Sequence, residues 1–421
     1  MLKPSPRLCI ECKGYKLLCG LSRCPLLSSY ISKVSAATRI SRGFVEGSTP
    51  PTALVGESGY PRVAIYMGIP PGVYGEEARN FDNPVSWHLK LGLEEIIELR
   101  SGMAMVSLPK VLVTSVGKLY ESEVALAAIS LRPVDTEAVV SKVLGISTNF
   151  DYLLPPTGPR VLAELLRVVG NPSTPKKLEM MIFDDVKTSE AIKELYNSNI
   201  DFYTITRALS LGLLGYRSKR KLVPTRWAIT ATDTIISNLL LDVVRGFQQL
   251  SDTLVFYGEY LYNKYLIILS TGSYRALWIE VWHPKAIYNP GEGLEWFEVK
   301  ELRPNSFTAM DGGFLAARTS VLQYLYSIGR QARVTILREI LPQYIYPVGN
   351  WQIRETVKHA LSRGPILKNP VESELTNLVE RFMNVPREVL KRLIEFVYEK
   401  NQLKLDSFFK NPQNAIHFST P

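Results

Sequence analysis

Apolar positions along the chain change period repeatedly, dividing it into short alternating stretches and longer helical ones. Tyr60-Pro-Arg-Val-Ala-Ile-Tyr66 alternates and predicts a strand, with a turn at Ile69-Pro-Pro-Gly72. From Asn83-Pro84 the spacing of Leu91, Leu93, Ile96 and Ile97 predicts a helical region running toward Leu99. Residues 105–116 and 123–131 read as two strands. Asp135 is placed to cap a helix through Leu144, and residues 160–169 suit another helix. Residues 178–183 suit a buried strand ending in Asp184-Asp185.

Helical spacing returns at 188–197, about 200–214 and about 231–247, the last with a strong apolar stripe. Residues 253–283 then switch to β character in three runs, and Trp296-Phe-Glu-Val299 adds an edge. Asp311-Gly-Gly opens a helix to about Gly329, 334–337 is a strand, and Trp351 starts a helix to about Leu361. Two amphipathic helices, 371–384 and 386–399, precede the tail. Strands and helices mix without a βαβ rhythm, which predicts an α+β fold with a mixed sheet core and several helices. The expected division is a small N-terminal zinc knuckle (1–27), an α+β core (28–300), a mainly helical C-terminal part (301–400) and a flexible tail (401–421). Residues 28–56 read as a loop-rich link with a rigid turn at Gly47-Ser-Thr-Pro-Pro51.

Composition narrows the class. The 421 residues are 46% hydrophobic, which permits a large core and excludes a disordered chain. No apolar run reaches the length of a bilayer span, and Met-Leu-Lys-Pro-Ser-Pro-Arg leads into cysteines rather than an apolar stretch. The expectation is a soluble intracellular protein without a secretory signal or membrane partner. A net charge of +9 favours polyanionic partners.

All four cysteines lie in the first 24 residues, as Cys9-x₂-Cys12-x₆-Cys19-x₄-Cys24. An intracellular disulfide framework is not packed that way. A C-x₂-C knuckle with a second pair nearby suits tetrahedral Zn²⁺. Four sulfur ligands leave no open position, so this zinc is structural.

The richest internal stretch runs from Leu211 to Asp233. Arg217, Lys219, Arg220, Lys221 and Arg226 crowd into ten residues flanked by Tyr216 and Trp227. Such a segment can hold phosphates and stack on bases, though a solvated basic loop has the same composition. Carboxylates are weaker signals. Glu179, Asp184 and Asp185 gather at a predicted strand end, where metal-dependent nucleases place ligands, but an Asp-Asp pair equally caps a turn. Asp233 and His283 complete the candidate acid–base groups, and a structural histidine after a strand is the plainer reading of His283. No P-loop, G-x-G-x-x-G or G-x-S-x-G motif occurs.

After the last predicted helix, Gln402-Leu-Lys-Leu405-Asp-Ser-Phe408-Phe409 reads Q-x-x-L-x-x-F-F. It resembles the PIP box, by which replication and repair proteins dock on the PCNA sliding clamp. In a 3₁₀ turn Gln402, Leu405 and Phe408 stack on one edge, and Phe409 splays beside them. Leucine and two rings then form an apolar plug, while Gln402 offers a donor and an acceptor.

Longer motifs follow one order: Cys-Ile-Glu-Cys-Lys-Gly, Val55-Gly-Glu-Ser-Gly-Tyr-Pro61, Asp82-Asn-Pro-Val-Ser-Trp87, the Leu211–Asp233 stretch, Asp311-Gly-Gly-Phe-Leu-Ala-Ala-Arg318, Leu337-Arg-Glu339 and Pro347-Val-Gly-Asn-Trp351. The whole resembles the archaeal Nre proteins, a family linked to DNA repair with a PCNA-binding C-terminus. The resemblance implies a cytoplasmic DNA repair factor that docks on the clamp through the PIP-like tail and meets DNA through the basic loop. It supplies no reaction. Two alternatives stand beside it: an enzyme processing nucleic acid or nucleotides (a nuclease, or a nucleotidyl- or ADP-ribosyl-type transferase), and a clamp adaptor without catalysis.

Overall fold

The computed structural model describes residues 11–18, 24–40, 43–117, 122–145, 156–289 and 291–399. Within them the chain is α+β, built on two mixed sheets. The first has six strands: β1 (Phe44–Thr49), β2 (Leu54–Val55), β3 (Ile65–Ile69), β4 (Ala104–Ser107), β5 (Val134–Gly145) and β6 (Arg160–Val168). Their spatial order is β1-β5-β6-β4-β3-β2. β4 and β6 are parallel, and the other neighbours are antiparallel.

Several local expectations give way here. The stretch from Asp135 to Leu144 belongs to a strand, because Val134, Thr136 and Ala138 point inward while Asp135 and Val139 face out. Residues 160–169 also form a strand rather than a helix. A bulge sets Val139 opposite Leu165 but Val140 opposite Ala163. It breaks the alternation of the buried Val161, Ala163 and Leu166, whose spacing then imitates a helix. The expected link at 28–56 contains α1 (Pro25–Thr38), with proline in its first turn, and β1. α1 packs on α2 (Leu93–Ser101). Residues 123–131 hold α3 (Glu123–Ala128) rather than a strand, with the Ser122 hydroxyl accepting from the Ala125 amide. Residues 178–183 lie in α4 (Lys176–Phe183), which buries Leu178, Met181 and Ile182 at i, i+3, i+4.

α5 (Thr188–Asn197) and α6 (Phe202–Ser210) lead into α7 (Thr225–Val244). Among the described residues α7 is the one helix long and apolar enough to cross a membrane. It is instead a core helix, packed against α5, α6 and a later helix that starts at Gly312, with Asp233 buried at its middle.

The second sheet has seven strands: β7 (Leu254–Tyr260), β8 (Asn263–Ser270), β9 (Arg275–Trp282), β10 (Glu295–Arg303), β11 (Ser306–Phe307), β12 (Arg333–Ile340) and β13 (Leu367–Lys368). Their order is β11-β10-β9-β12-β8-β7-β13. The central pair β9 and β12 is parallel, and α8 (Gly312–Ser327) lies on the crossover between them. The sheet is covered on both faces. One face, with Phe256, Tyr265, Ile267, Trp278 and Ile336, joins the large core under α7, α8 and α9 (Trp351–Ser362). The other, with Leu266, Ile268, Ile279 and Leu337, packs on α10 (Glu372–Phe382) and α11 (Arg387–Tyr398) through Leu375, Val379, Val389 and Leu393. Each fully buried aliphatic side chain of this kind contributes about 1.5–3 kcal/mol. Double coverage explains why every position of β12 is buried and why the strand shows no alternation. The sheet draws strands from both sides of residue 300.

Candidate functional site

The acidic residues singled out from the sequence do not converge. Glu179 sits exposed on α4. Asp184 and Asp185 follow that helix and form a local turn: Asp184 Oδ1 accepts from the Asp185 amide (2.8 Å), and Asp185 Oδ1 from the Arg217 amide (2.6 Å). Arg220 donates to the carbonyls of Ile182, Asp184 and Gly215, each at 2.9 Å, and Arg217 to the carbonyl of Phe183. Two of the five candidate phosphate-binding cations are therefore engaged with the carbonyl end of α4 and its following turn.

Asp233 is elsewhere. It is fully buried in a bidentate pair with Arg354 on α9 (2.5 and 2.7 Å) and accepts from Thr319 Oγ1 (2.8 Å). His283 Nε2 lies 2.6 Å from Glu339 Oε1, and Lys264 Nζ reaches the other oxygen of Glu339 at 3.4 Å. These groups belong to different parts of the fold. A two-metal site made from them, which requires carboxylates close enough to share ions about 4 Å apart, is not formed. No cluster of three or more His, Cys, Asp or Glu suited to a metal occurs among the described residues.

The remaining basic residues do gather with other motifs. α7 starts at Thr225 after Pro224, so Arg226 and Trp227 lie in its first turn. The Thr225 hydroxyl accepts from the Val55 amide (2.8 Å), and Arg226 pairs with Glu57 (3.0 Å). The ring of Tyr60 lies 5.4 Å from that of Trp227. The loop Val55-Gly-Glu-Ser-Gly-Tyr-Pro61 is thus fastened along the start of α7. Next to it, Val113 donates to Pro61 O (2.9 Å) and Leu222 to Val113 O (2.8 Å). Lys221 and Arg62, next to the outer segments of this strip, are both exposed. Lys219 is exposed as well, with its ammonium 5.9 Å from the centre of the Tyr216 ring.

Another turn along α7, Thr230 lies beside Gly312 at the start of α8. A Cβ on Gly312 would lie 2.8 Å from Asn350 Nδ2 and 3.6 Å from Thr230 Oγ1, so glycine allows the start of α8 to nest there. Asp311 caps α8, accepting from the Phe314 amide at 2.6 Å. Glu280 on β9 lies behind Gly313 and is bound by Arg338 of β12 (2.5 Å) and by Trp282 Nε1 (3.0 Å). Arg338 also donates to Asn263 Oδ1 (2.7 and 3.0 Å). Burial opposes the Arg338 charge, but Glu280 holds its pKa above the usual arginine value. Burial, with Glu280 nearby, pushes the Asp311 carboxyl up to about 6. Asp311 and Glu280 thus flank Gly313, a Cβ on which would lie 3.1 Å from Asp311 Oδ1 and 3.3 Å from Glu280 Oε1, and the Asp311 carboxyl can hold or release a proton near neutrality. The pair is not legible in the sequence. Its only local trace is an Asp-Gly-Gly helix start.

Of the cysteines, Cys12 and Cys24 lie among the described residues, and Cys9 and Cys19 outside them. Cys24 precedes α1. Cys12 is buried, and backbone amides led by that of Leu18, with Gly14, Leu17 and Lys16, hold its thiol below the usual value against the effect of burial. Amides turned toward sulfur favour the thiolate, the form a metal takes. The tail residues Gln402, Leu405, Phe408 and Phe409 lie outside the described residues.

Two family models match the chain: Archaeal Nre, N-terminal, over residues 18–289, and Archaeal Nre, C-terminal, over residues 300–408. The DNA repair protein NreA of Archaeoglobus fulgidus is 34% identical over 380 residues, 89% of this chain and 94% of the relative. NreB of the same organism, also named a DNA repair protein, is 31% identical over 83% of this chain and 87% of its own length. NreA of Haloferax volcanii is 30% identical over 75% of this chain and 77% of its own length. No solved structure matches.

Proposed function

The chain belongs to the archaeal Nre family, and on that premise we propose that it is a DNA repair factor tethered to the PCNA clamp. The repair role follows the names of its relatives. The clamp role rests on Gln402, Leu405, Phe408 and Phe409. The contact with DNA rests on one observation: exposed cations and aromatic rings collect on a single surface where the Val55–Pro61 loop, the strip through Val113 and the start of α7 meet.

On that surface Lys219, Lys221 and Arg226 supply positive charge toward phosphates, while Arg217 and Arg220 hold the loop in shape. Lys219→Ala with Lys221→Ala is expected to weaken binding to gapped and flapped duplexes without regard to sequence. The slope of log affinity against log salt is expected to flatten by about 0.9 for each phosphate that is no longer neutralised. Fluorescence anisotropy at several salt concentrations measures both. An unchanged slope removes these lysines from the interface.

Cys9, Cys12, Cys19 and Cys24 are proposed to hold one structural zinc, supported by the amides turned toward the Cys12 sulfur. The expected stoichiometry is one zinc per chain by elemental mass spectrometry, reduced in Cys12→Ala. A metal-free, folded protein purified from zinc-supplemented cells argues the site away.

A further inference from the structure

The surface at the start of α7 carries more than positive charge. Tyr60 and Trp227 keep 51% and 44% of their area exposed, large fractions for two rings in contact. Their planes are tilted by 46° rather than stacked face to face, and about half of each side chain remains open to solvent. Leu112, paired across from Arg62, is 41% exposed. An exposed apolar patch of this kind on a folded chain marks an interaction site.

The patch is held rigid. Tyr60 stands on a tight turn in which the Tyr60 amide donates to Glu57 O and the Arg62 amide to Gly59 O (3.2 and 2.9 Å). Gly59 has φ +89, and a Cβ there would meet Lys110 Nζ at 2.8 Å and Arg62 O at 3.0 Å. Lys110 in turn donates to Ser58 O (3.1 Å). The Glu57–Arg226 pair and the Val55–Thr225 hydrogen bond fix the turn against the helix. Arg62, Lys110, Lys221 and Arg226 are exposed cations on the segments that meet at this turn, Arg226 being paired with Glu57.

We propose that Tyr60 and Trp227 form a stacking platform for unpaired bases of single-stranded or locally opened DNA, with these cations holding the backbone. This deepens the nucleic-acid reading given above and rests on it. The chemistry is selective. A duplex hides base faces inside its stack and offers phosphates only, whereas an unpaired base presents a flat face to an aromatic ring. An acidic protein partner would satisfy the cations but has no need of two exposed rings. A fixed platform also loses little freedom on binding.

The test uses the full chain and three fluorescein-labelled probes of one sequence: a single-stranded oligodeoxynucleotide, its duplex and the matching oligoribonucleotide. Trp227→Ala is expected to lower single-strand affinity roughly 5- to 150-fold, the factor one stacked base supplies, and duplex affinity less than about twofold. Tyr60→Ala acts in the same direction, and Trp227→Phe retains part of the binding. Quenching of tryptophan fluorescence by the single strand, lost in Trp227→Phe, reports the stack directly. Because about half of each side chain is exposed, the variants should melt close to the parent. If single-strand and duplex affinities fall together, or neither moves, while Lys219→Ala with Lys221→Ala still weakens binding, the platform is refuted and the DNA interface survives. If none of these variants changes any affinity, the DNA reading itself fails. Tighter binding of the oligoribonucleotide overturns the assignment to DNA.

Discussion

Phe408→Ala with Phe409→Ala is expected to abolish measurable binding to PCNA while leaving the thermal melting of the protein unchanged. Two adjacent aromatic anchors of a short docking peptide are hot-spot residues, each costing about 2 kcal/mol or more on truncation. Loss of both removes at least roughly a thousandfold in affinity, and Gln402 and Leu405 retain too little apolar surface to compensate. α11 is seated on the second sheet by Val389, Leu393 and Val397, all upstream of the motif. Calorimetric titration with purified clamp checks the claim. Retained affinity in the double variant refutes the clamp-docking reading of the tail. The consequence for function is larger than the contact itself. A tether that raises local concentration at the clamp multiplies a modest DNA affinity by about 10²–10⁴ when the geometry allows both to be engaged. The double variant should therefore lose clamp-dependent DNA retention but keep the DNA affinity of the isolated protein.

Legibility of the fold followed how local each signal was. α10 and α11 carry their apolar residues on one face and were readable from spacing alone, as were β7, β8 and β9 from their β-branched and aromatic runs. β6 was misread because its bulge at Glu164 disrupts the period that marks a strand. α3 was misread because its run of buried alanine and valine faces other elements on most sides, so no stripe remains. The candidate site shows the same limit more sharply. Its motifs were visible as strings, but Glu57 and Arg226 are 169 positions apart in sequence, and no property of either string announces the other. Arg217 and Arg220 looked like ligands because composition records a charge without recording what it touches. In the structure their donors meet carbonyls at the end of α4. Asp311 was legible as a helix cap and not as one of a carboxyl pair, since Glu280 comes from a separate strand.

Asp233→Ala is expected to destabilise the protein by about 3–5 kcal/mol, the cost of leaving one partner of a buried ion pair without its counter-charge. A typical domain has only about 5–15 kcal/mol in total. The geometry makes the dependence strong. Arg354 gives both terminal nitrogens to Asp233, and its guanidinium lies 3.5 Å from the centre of the Phe202 ring. Asp233, Thr319 and Arg354 therefore join α7, α8 and α9 at one buried point. Arginine does not shed its proton in a protein, so Asp233→Ala has no relief at any pH. Arg354→Ala differs. An unpaired buried carboxylate has a folded pKa raised above its unfolded value of about 3.9. Its contribution is then intact below that unfolded value and is lost as pH rises toward the folded one, so Arg354→Ala should be more stable relative to the parent at pH 4 than at pH 7. Asp233→Leu with Arg354→Met removes both charges while keeping volume, and should recover most of the loss. Denaturant melts of the two single variants and the double variant, at both pH values, close the cycle. Single variants that each cost less than about 1 kcal/mol would remove the pair from the core's supports. A stable Asp233→Ala protein that had lost a DNA-directed activity would instead return Asp233 to the chemistry.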